Sequence, residues 1–321
     1  MCKYLLKRLG SSLIVLFLVS VIIFVLIHSQ PGNPFASMIS HDTDPAFVAE
    51  RMEAMGYNDL LPMRYVKWLG RVFQGDWGYS IQYKAPVMEI IAYRLGNTVL
   101  LSGMAFVIST LIALCLGIFS AAQKGRWSDT LITVLSFVGI SLPTFFMALL
   151  FIKIFSYDFA FLPPTGMITP GTKLMGWAYF VDVVRHMIMP VLVLVTTHAA
   201  ILLRYVRSGM IEILRQNYIR TARVKGLNRF RTVIVHGFRN IFVPVITILC
   251  VQFPNLLSGA VVTETVFVWP GIGRLNYDAI LVRDYPLIMA ITMVLAISVV
   301  GMNFIGDFLC FMADPESRLK L

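Results

Sequence analysis

Long apolar stretches separated by polar loops make up most of the chain. An α-helix rises about 1.5 Å per residue and the hydrocarbon core of a bilayer is about 30 Å thick, so about 20 apolar residues can cross it. The pattern therefore predicts an all-α integral membrane protein with six transmembrane helices. The predicted spans, in chain order, are Leu9–Ile27, Thr98–Ala122, Thr130–Ile152, Met187–Leu203, Ile241–Thr263 and Pro286–Ile305.

The first apolar stretch follows three basic residues and has to be weighed against a secretory signal peptide. A signal peptide has an apolar core of about 7–15 residues and a cleavage site of small residues. This stretch has 19 residues, and the polar sequence HSQPGNP follows it. We therefore predict an uncleaved span.

The third, fourth and fifth predicted spans contain prolines, amides and a histidine. Proline leaves a backbone carbonyl without its helical partner, and polar side chains in hydrocarbon need polar neighbours. Packing between helices explains any one of these residues, but together they indicate helices that face protein or water. The predicted pathway-lining residues are Pro143, His198, Gln252 and Asn255.

Charged residues make up 14% of the chain and apolar residues 58%. About a quarter of the residues of a soluble protein are charged, so this composition excludes a soluble protein. The net charge of +10 requires no nucleic-acid partner, because cytoplasmic loops of membrane proteins are basic. Basic residues concentrate on one side of the six spans, above all between Arg204 and Arg239, so both termini are predicted to be cytoplasmic.

The first loop (His28–Asn97) is predicted to be an ordered extracytoplasmic cap with two helices, from Asp44 to Gly56 and from Pro62 to Gly75. The spacing of its residues is equally compatible with a docking surface for another protein and with a purely structural lid. The predicted organisation is therefore a first helix plus cap (1–97), a transmembrane core (98–311) with a cytoplasmic loop at 204–240, and a cytoplasmic tail (312–321).

Motifs that carry chemistry are missing from the sequence. There is no GxxxxGK[ST] phosphate loop and no HExxH, and the histidines and cysteines show no metal-ligand spacing, so we expect no catalytic site, metal or cofactor. Ser141 with His198 resembles an intramembrane serine protease only faintly, and a helix contact explains Gly139 and Ser141 better. A stand-alone carrier needs ionisable residues at mid-span, and the spans offer only His198.

The sequence NYIRTARVKGLNRFR (Asn217–Arg231) is strongly basic and has no acidic residue. On a helix, Tyr218, Ala222 and Gly226 form a stripe that narrows to small residues. Gly226 is predicted to end the helix in a left-handed conformation, and a second segment (Asn228–Val235) to leave at an angle. Such a hairpin would fit a groove in a soluble partner. The alternative is that the basic residues only reflect the usual excess of positive charge in cytoplasmic loops.

This region resembles the EAA loop of binding-protein-dependent ABC importer permeases, in the variant of the dipeptide/oligopeptide/nickel subfamily. Arg220-Thr221-Ala222 takes the place of the Glu-Ala-Ala triplet before Gly226, and Pro244 follows later. The stretches PGNP, YVKWLGRVFQGDWGYS, RLGNTVLL, SLPTF, GAVVTETVFVWPGIGRLNYDAI and FLCFMADPESR also resemble this family, in order and spacing. PGNP departs slightly from the family pattern, which has Asp before the second proline.

The resemblance implies the type I ABC importer permease fold in a prokaryotic plasma membrane. It implies a homologous second permease, two cytoplasmic ATPases that bind the ATP, and an extracytoplasmic solute-binding protein as partners, besides the lipid bilayer. Transport would proceed by alternating access, with peptides or a nickel chelate as solute.

The resemblance also assigns two sets of residues. The ATPase-coupling residues would be Tyr218, Arg220, Thr221, Ala222, Lys225 and Gly226. Those of the outer gate or binding-protein contact would be Glu264, Trp269, Pro270, Gly271 and Gly273. For Glu264, structural pairing is favoured over contact with solute, because a carboxylate at the membrane edge is costly unless paired or hydrated.

Overall fold

The computed structural model describes residues 2–29, 59–228 and 231–313, and these ranges are almost entirely helical. One isolated bridge, between Tyr79 and Pro86, lies outside the helices. The α-helices are α1 (Cys2–His28), α2 (Leu61–Phe73), α3 (Val87–Ala122), α4 (Trp127–Ser141), α5 (Thr144–Phe151), α6 (Gly176–Leu214), α7 (Asn217–Val224), α8 (Arg239–Val266), α9 (Ile272–Leu281) and α10 (Tyr285–Ala313). Two π-helical segments, Ile152–Asp158 and Thr232–Phe238, follow α5 and precede α8.

Among the described residues, four helices are long and apolar enough to cross a membrane: α1, α3, α6 and α10. They contain the first, second, fourth and sixth predicted spans. The fifth predicted span lies in α8 (Arg239–Val266), in which the stretch Arg239–Pro254 is apolar. The count of six spans and the cytoplasmic position of both termini therefore stay predictions.

The third predicted span, Thr130–Ile152, is not a straight helix. It is divided into α4 and α5, whose axes are bent by 102° at Leu142-Pro143. A proline disfavours helical geometry in the residue before it, and Leu142 is extended with φ −83° and ψ 129°. This pair is a broken span or a re-entrant loop, and it raises the number of possible crossings in the described residues to five.

The described chain divides into two compact units. The first contains residues 99–228, 231–269 and 302–313, and the second contains 2–29, 59–98 and 270–301. In the first unit α6 is the central helix, because 67% of its most apolar window is buried, against 28% or less in α1, α3 and α10. Its inward face carries Met187, Leu194, Leu202 and Val206.

Small residues let two neighbouring helices approach α6 closely. A Cβ atom on Gly117 of α3 would lie 2.8 Å from Val206 Cγ1, and one on Gly139 of α4 would lie 3.1 Å from the carbonyl oxygen of Thr196. Close backbone contact through glycine is a common way for helices to associate in a bilayer. The structure thus supports the interpretation of Gly139 as a helix contact.

In the second unit the predicted cap helix from Pro62 to Gly75 is confirmed as α2. The Tyr65 and Trp68 rings pack against Phe24 of α1 at 5.3 and 5.7 Å between centroids. The Tyr65 hydroxyl also lies 2.7 Å from Ser20 Oγ. The predicted cap helix from Asp44 to Gly56 lies outside the described residues.

A buried carboxylate just before α10 holds the turn from Tyr79 to Pro86. Asp284 accepts hydrogen bonds from Ser80 Oγ at 2.5 Å and from the Gln82 backbone N–H at 3.1 Å, and its side chain is fully buried. A buried carboxylate is stable only when its lone pairs are satisfied. Asp284 therefore fixes the Tyr79–Pro86 turn to the last long helix.

The predicted orientation can be tested with single cysteines at two exposed sites. Phe73 at the end of α2 is 84% exposed and Val224 at the end of α7 is 88% exposed. In a background without the native cysteines, we expect a membrane-impermeant thiol reagent to label Phe73→Cys in intact cells and Val224→Cys only after permeabilisation. Labelling of Val224→Cys in intact cells would invert the orientation.

Candidate functional site

The short basic helix α7 presents Arg220 to solvent. Ile219 is fully buried and Ala222 is 8% exposed, so these two residues form the inward face. The residues exposed on the other faces or just after the helix are Tyr218, Arg220, Thr221, Val224 and Lys225. A helix anchored by two apolar residues can carry a basic outer surface without burying charge.

Gly226 ends α7 as predicted. Its φ is +83°, in the left-handed region that glycine adopts without strain. The Leu227 backbone N–H donates to the carbonyl of Ala222 at 3.2 Å, the bond that defines a Schellman cap. A Cβ atom on Gly226 would meet no atom within 4 Å, so the glycine is required by its φ and not by crowding inside this chain.

The burial of Ala222 corrects the predicted stripe of small residues. Because its side chain is buried within its own chain, it is not available to an approaching partner in this conformation. Tyr218 is exposed, but its hydroxyl accepts a hydrogen bond from Asn240 Nδ2 at 3.0 Å, which ties α7 to the start of α8. The outward part of the stripe is thus Tyr218 and Gly226.

A π-helical turn connects the basic segment to α8. It runs from Thr232 to Phe238 and leads into α8 without a break. The Thr232 hydroxyl donates to the Asn228 carbonyl at 3.1 Å, and a Cβ atom on Gly237 would lie 2.9 Å from Met210 Cε of α6. Of the predicted segment Asn228–Val235, residues 229 and 230 lie outside the described chain.

A buried ion pair joins three helices near the end of α6. The Arg207 guanidinium binds Asp129 through two hydrogen bonds, Nε to Oδ1 at 2.7 Å and Nη2 to Oδ2 at 2.9 Å. Ser120 Oγ of α3 donates to Oδ1 at 2.5 Å, and the Gly125 backbone N–H donates to Oδ2 at 3.0 Å. Both carboxylate oxygens are thus satisfied by two partners each, which compensates the burial of Asp129.

We call this group (Ser120, Gly125, Asp129 and Arg207) the Asp129 clamp. It lies two turns before the end of α6, which leads directly into α7. The sequence reasoning missed the clamp, because it counted Arg207 among the basic loop residues and began the third span after Asp129. One signal was available: Asp129 is the only acidic residue between Glu89 and Asp158.

The residues predicted for an outer gate or binding-protein contact are mostly buried. In the first unit Glu264 and Trp269 are both fully buried, and the backbone N–H of Trp269 donates to the backbone carbonyl of Glu264 at 2.8 Å. In the second unit the Pro270 carbonyl accepts from Asn97 Nδ2 at 2.9 Å, and Gly271 and Gly273 are buried. Burial keeps Glu264 and Trp269 from contacting a binding protein directly in this conformation; their part in gating stays a prediction.

The predicted pathway residues lie at the bend before α5 and on the helices α6 and α8. Pro143 is exposed at the bend before α5. His198 of α6 and Gln252 of α8 each have a buried nitrogen, Nδ1 and Nε2, without a hydrogen-bond partner among the described residues. The Asn255 side chain lies outside the described part. Two polar atoms that need partners inside an apolar core are consistent with a pathway, but its lining stays a prediction.

No catalytic arrangement supports the protease alternative. The Ser141 hydroxyl donates to the Phe137 carbonyl at 2.7 Å, as in ordinary helix packing of serine. Within the described ranges no three His, Cys, Asp or Glu residues are grouped to hold a metal ion. What the described residues offer is a short helix anchored by Ile219 and Ala222, with Arg220 and Lys225 exposed, and its docking to another protein stays a prediction.

Among the described residues, four long apolar helices and a fifth possible crossing are typical of a multi-pass membrane protein. The family model of "binding-protein-dependent transport system inner membrane component" matches residues 113–318, and its N-terminal companion matches residues 1–102. The chain therefore belongs to this family, as its motifs predicted. It is a multi-pass protein of the bacterial inner membrane.

Similar proteins span the whole chain. An oligopeptide transport system permease protein, AppB of Bacillus subtilis, is 38% identical and covers 98% of this chain and 99% of its own. A glutathione transport system permease protein, GsiC of Salmonella paratyphi A, is 34% identical with full coverage of both chains. A chain of the inward-facing MetNI methionine ABC transporter has a TM-score of 0.55 over 71% of this chain and 97% of its own, at 13% identity. That likeness shows the fold alone and confirms the predicted permease fold.

The Asp129 clamp predicts that replacing Asp129 destabilises the protein much more than replacing the exposed Asp158. Asp129→Ala leaves Arg207, whose side chain is 24% exposed, without its partner, and breaking such a pair costs about 3 kcal/mol. Asp158→Ala removes the partner of Lys153, whose side chain is 67% exposed, and should cost less than about 1 kcal/mol. Thermal unfolding of the purified chain measures both.

A double variant supplies the control for the clamp. Removing both charges with Asp129→Ala and Arg207→Ala leaves no buried unpaired charge, so it should be less destabilising than the sum of the single changes. Additive effects of the two changes would show that the ion pair contributes nothing.

Proposed function

We propose that the chain is the permease subunit of an ATP-driven importer for peptides or small peptide-like solutes. The observation that carries this proposal is similarity over the whole chain to permeases named for oligopeptide and glutathione transport. Because the match covers both chains completely, it includes the cap, the core and the basic loop together. The peptide assignment is thus favoured over the alternative of a nickel or other metal chelate.

The basic helix α7 supports the proposal that partner proteins supply the energy for transport. The sequence has no phosphate loop, so ATP would be bound by two partner ATPases in the cytoplasm and the chain itself would need no cofactor. Arg220 and Lys225 are exposed beside Gly226, where a groove in an ATPase could accept the end of the helix. A homologous second permease would complete the pore.

The Asp129 clamp supports a mechanism in which α6 and α7 move with the surrounding helices. Arg207 holds α6 to the end of α3 and the start of α4, close to the point where α6 leads into α7. A pull on α7 would therefore be transmitted to these helices rather than be lost in a loose loop. In alternating access, such movements would open the pathway to one side at a time, after a solute-binding protein delivers its cargo outside.

The function can be tested with the chain reconstituted in proteoliposomes together with its partner permease, ATPases and binding protein. We expect uptake of labelled oligopeptides that requires ATP inside and the binding protein outside, while the chain alone hydrolyses no ATP. A nickel chelate and glutathione serve as competing solutes. Uptake of the chelate without uptake of any peptide would overturn the peptide assignment, and uptake by the chain alone would overturn the importer model.

Gly226→Leu tests the coupling role of the end of α7. The substitution forces a side chain into φ +83° and adds bulk to an exposed surface, so we expect normal membrane levels but loss of uptake and weak retention of the ATPases. Gly171→Leu is the matched control, because Gly171 has φ +76°, equally open surroundings and a place in the predicted outer loop.

The comparison separates coupling from general strain. If Gly226→Leu retains uptake, or if both variants lose it equally, α7 is not the coupling element. Ala222→Leu is unsuitable for this purpose, since the burial of Ala222 would turn it into a test of packing.

A further inference from the structure

An open apolar groove lies along the last turns of α3 in the first unit. Its volume is about 610 Å³. The apolar residues that shape it include Leu114, Cys115, Ile118 and Phe119 of α3, and Val233 and Phe238 of the π-helical turn. The groove therefore borders the segment that connects the basic helix to α8.

A smaller pocket of about 140 Å³ adjoins the groove and has a different character. The two cavities share Ala122 and Val233. Lys124 and Arg215 line the smaller pocket, and neither cation forms an ion pair within the described residues. Glu212 is exposed on the same turn of α6 as Arg215, but it does not line the pocket. The pocket thus offers two cations to a ligand.

The boundary between the two cavities coincides with the end of a membrane-spanning helix. α3 ends at Ala122, and the polar residues Gln123 and Lys124 follow immediately. Gln123 lines the groove, and its Oε1 is buried with no hydrogen-bond partner in the described part of the chain. From Leu114 to Lys124 the surface changes from apolar to amide to cationic, in the order in which a bilayer changes from hydrocarbon to headgroup.

We propose that this surface binds an anionic phospholipid, with an acyl chain in the groove and the phosphate beside Lys124 and Arg215. Charge complementarity selects this occupant, because a transmembrane helix of another protein would fill the groove without using the cations. Lys and Arg next to a span attract anionic lipid, and each contributes about fivefold to binding. The lipid would pack against Val233 and Phe238 and so stabilise the π-helical turn next to the candidate coupling segment.

The test uses the full chain in nanodiscs that contain phosphatidylcholine and phosphatidylglycerol, with native mass spectrometry of the lipids that remain bound. Wild-type protein should retain phosphatidylglycerol in preference to phosphatidylcholine. Lys124→Gln with Arg215→Gln should weaken that preference about 25-fold, since two cations are lost. Both side chains are exposed, so the variant should fold normally.

Two matched controls distinguish lipid binding at this site from a general effect of surface charge and from a general effect of apolar contact. Arg126→Gln with Arg231→Gln removes the same charge from exposed residues that line neither cavity, and should retain the preference. Cys115→Trp fills the groove and should abolish the preference, whereas Leu111→Trp, at a 58% exposed site one turn away, should not.

Three results would overturn the proposal. The first is unchanged retention in the Lys124 and Arg215 variant, and the second is an equal loss in both charge variants. The third is efficient cross-linking of Cys115 to a neighbouring permease chain in the assembled transporter, which would show that protein fills the groove. None of these results bears on peptide uptake, so the transport function is tested separately.

Discussion

The ion pair between Asp129 and Arg207 is the constraint on which the candidate site depends. A carboxylate buried among helices is tolerated only when charge and hydrogen bonds satisfy both oxygens, and here Arg207, Ser120 and Gly125 do so. The geometry that meets this requirement fixes the positions of α3, α4 and α6 at one end of the first unit. α6 ends about two turns beyond this point, and α7 begins after Arg215 and Gln216.

The basic helix combines a small apolar anchor with an exposed charged surface. Ile219 and Ala222 hold it to the chain, while Arg220 and Lys225 remain in solvent. Gly226 stops the helix at a point where its last turn is accessible. A docking element needs both properties, because a rigid attachment transmits movement and an exposed surface allows a partner to bind.

The π-helical turn and the groove beside it connect the proposed lipid site to the segment between α7 and α8. π-helical turns occur mostly as short segments and often at functional sites. Val233 and Phe238 belong to this turn and line the proposed lipid groove. A lipid bound there would act on the connection between α7 and α8 without touching the residues proposed to meet the ATPases.

The sequence by itself determined the membrane class, the positions of the apolar helices, the basic segment and the left-handed end at Gly226, because these depend on hydropathy, charge and local backbone conformation. Only the tertiary structure decided which sides of those elements are buried. It buried Ala222 and Trp269, bent the third span at Pro143 and paired Asp129 with Arg207, 78 residues apart. Helical spacing groups residues on one face, but the choice of neighbour depends on contacts between segments that are distant in sequence.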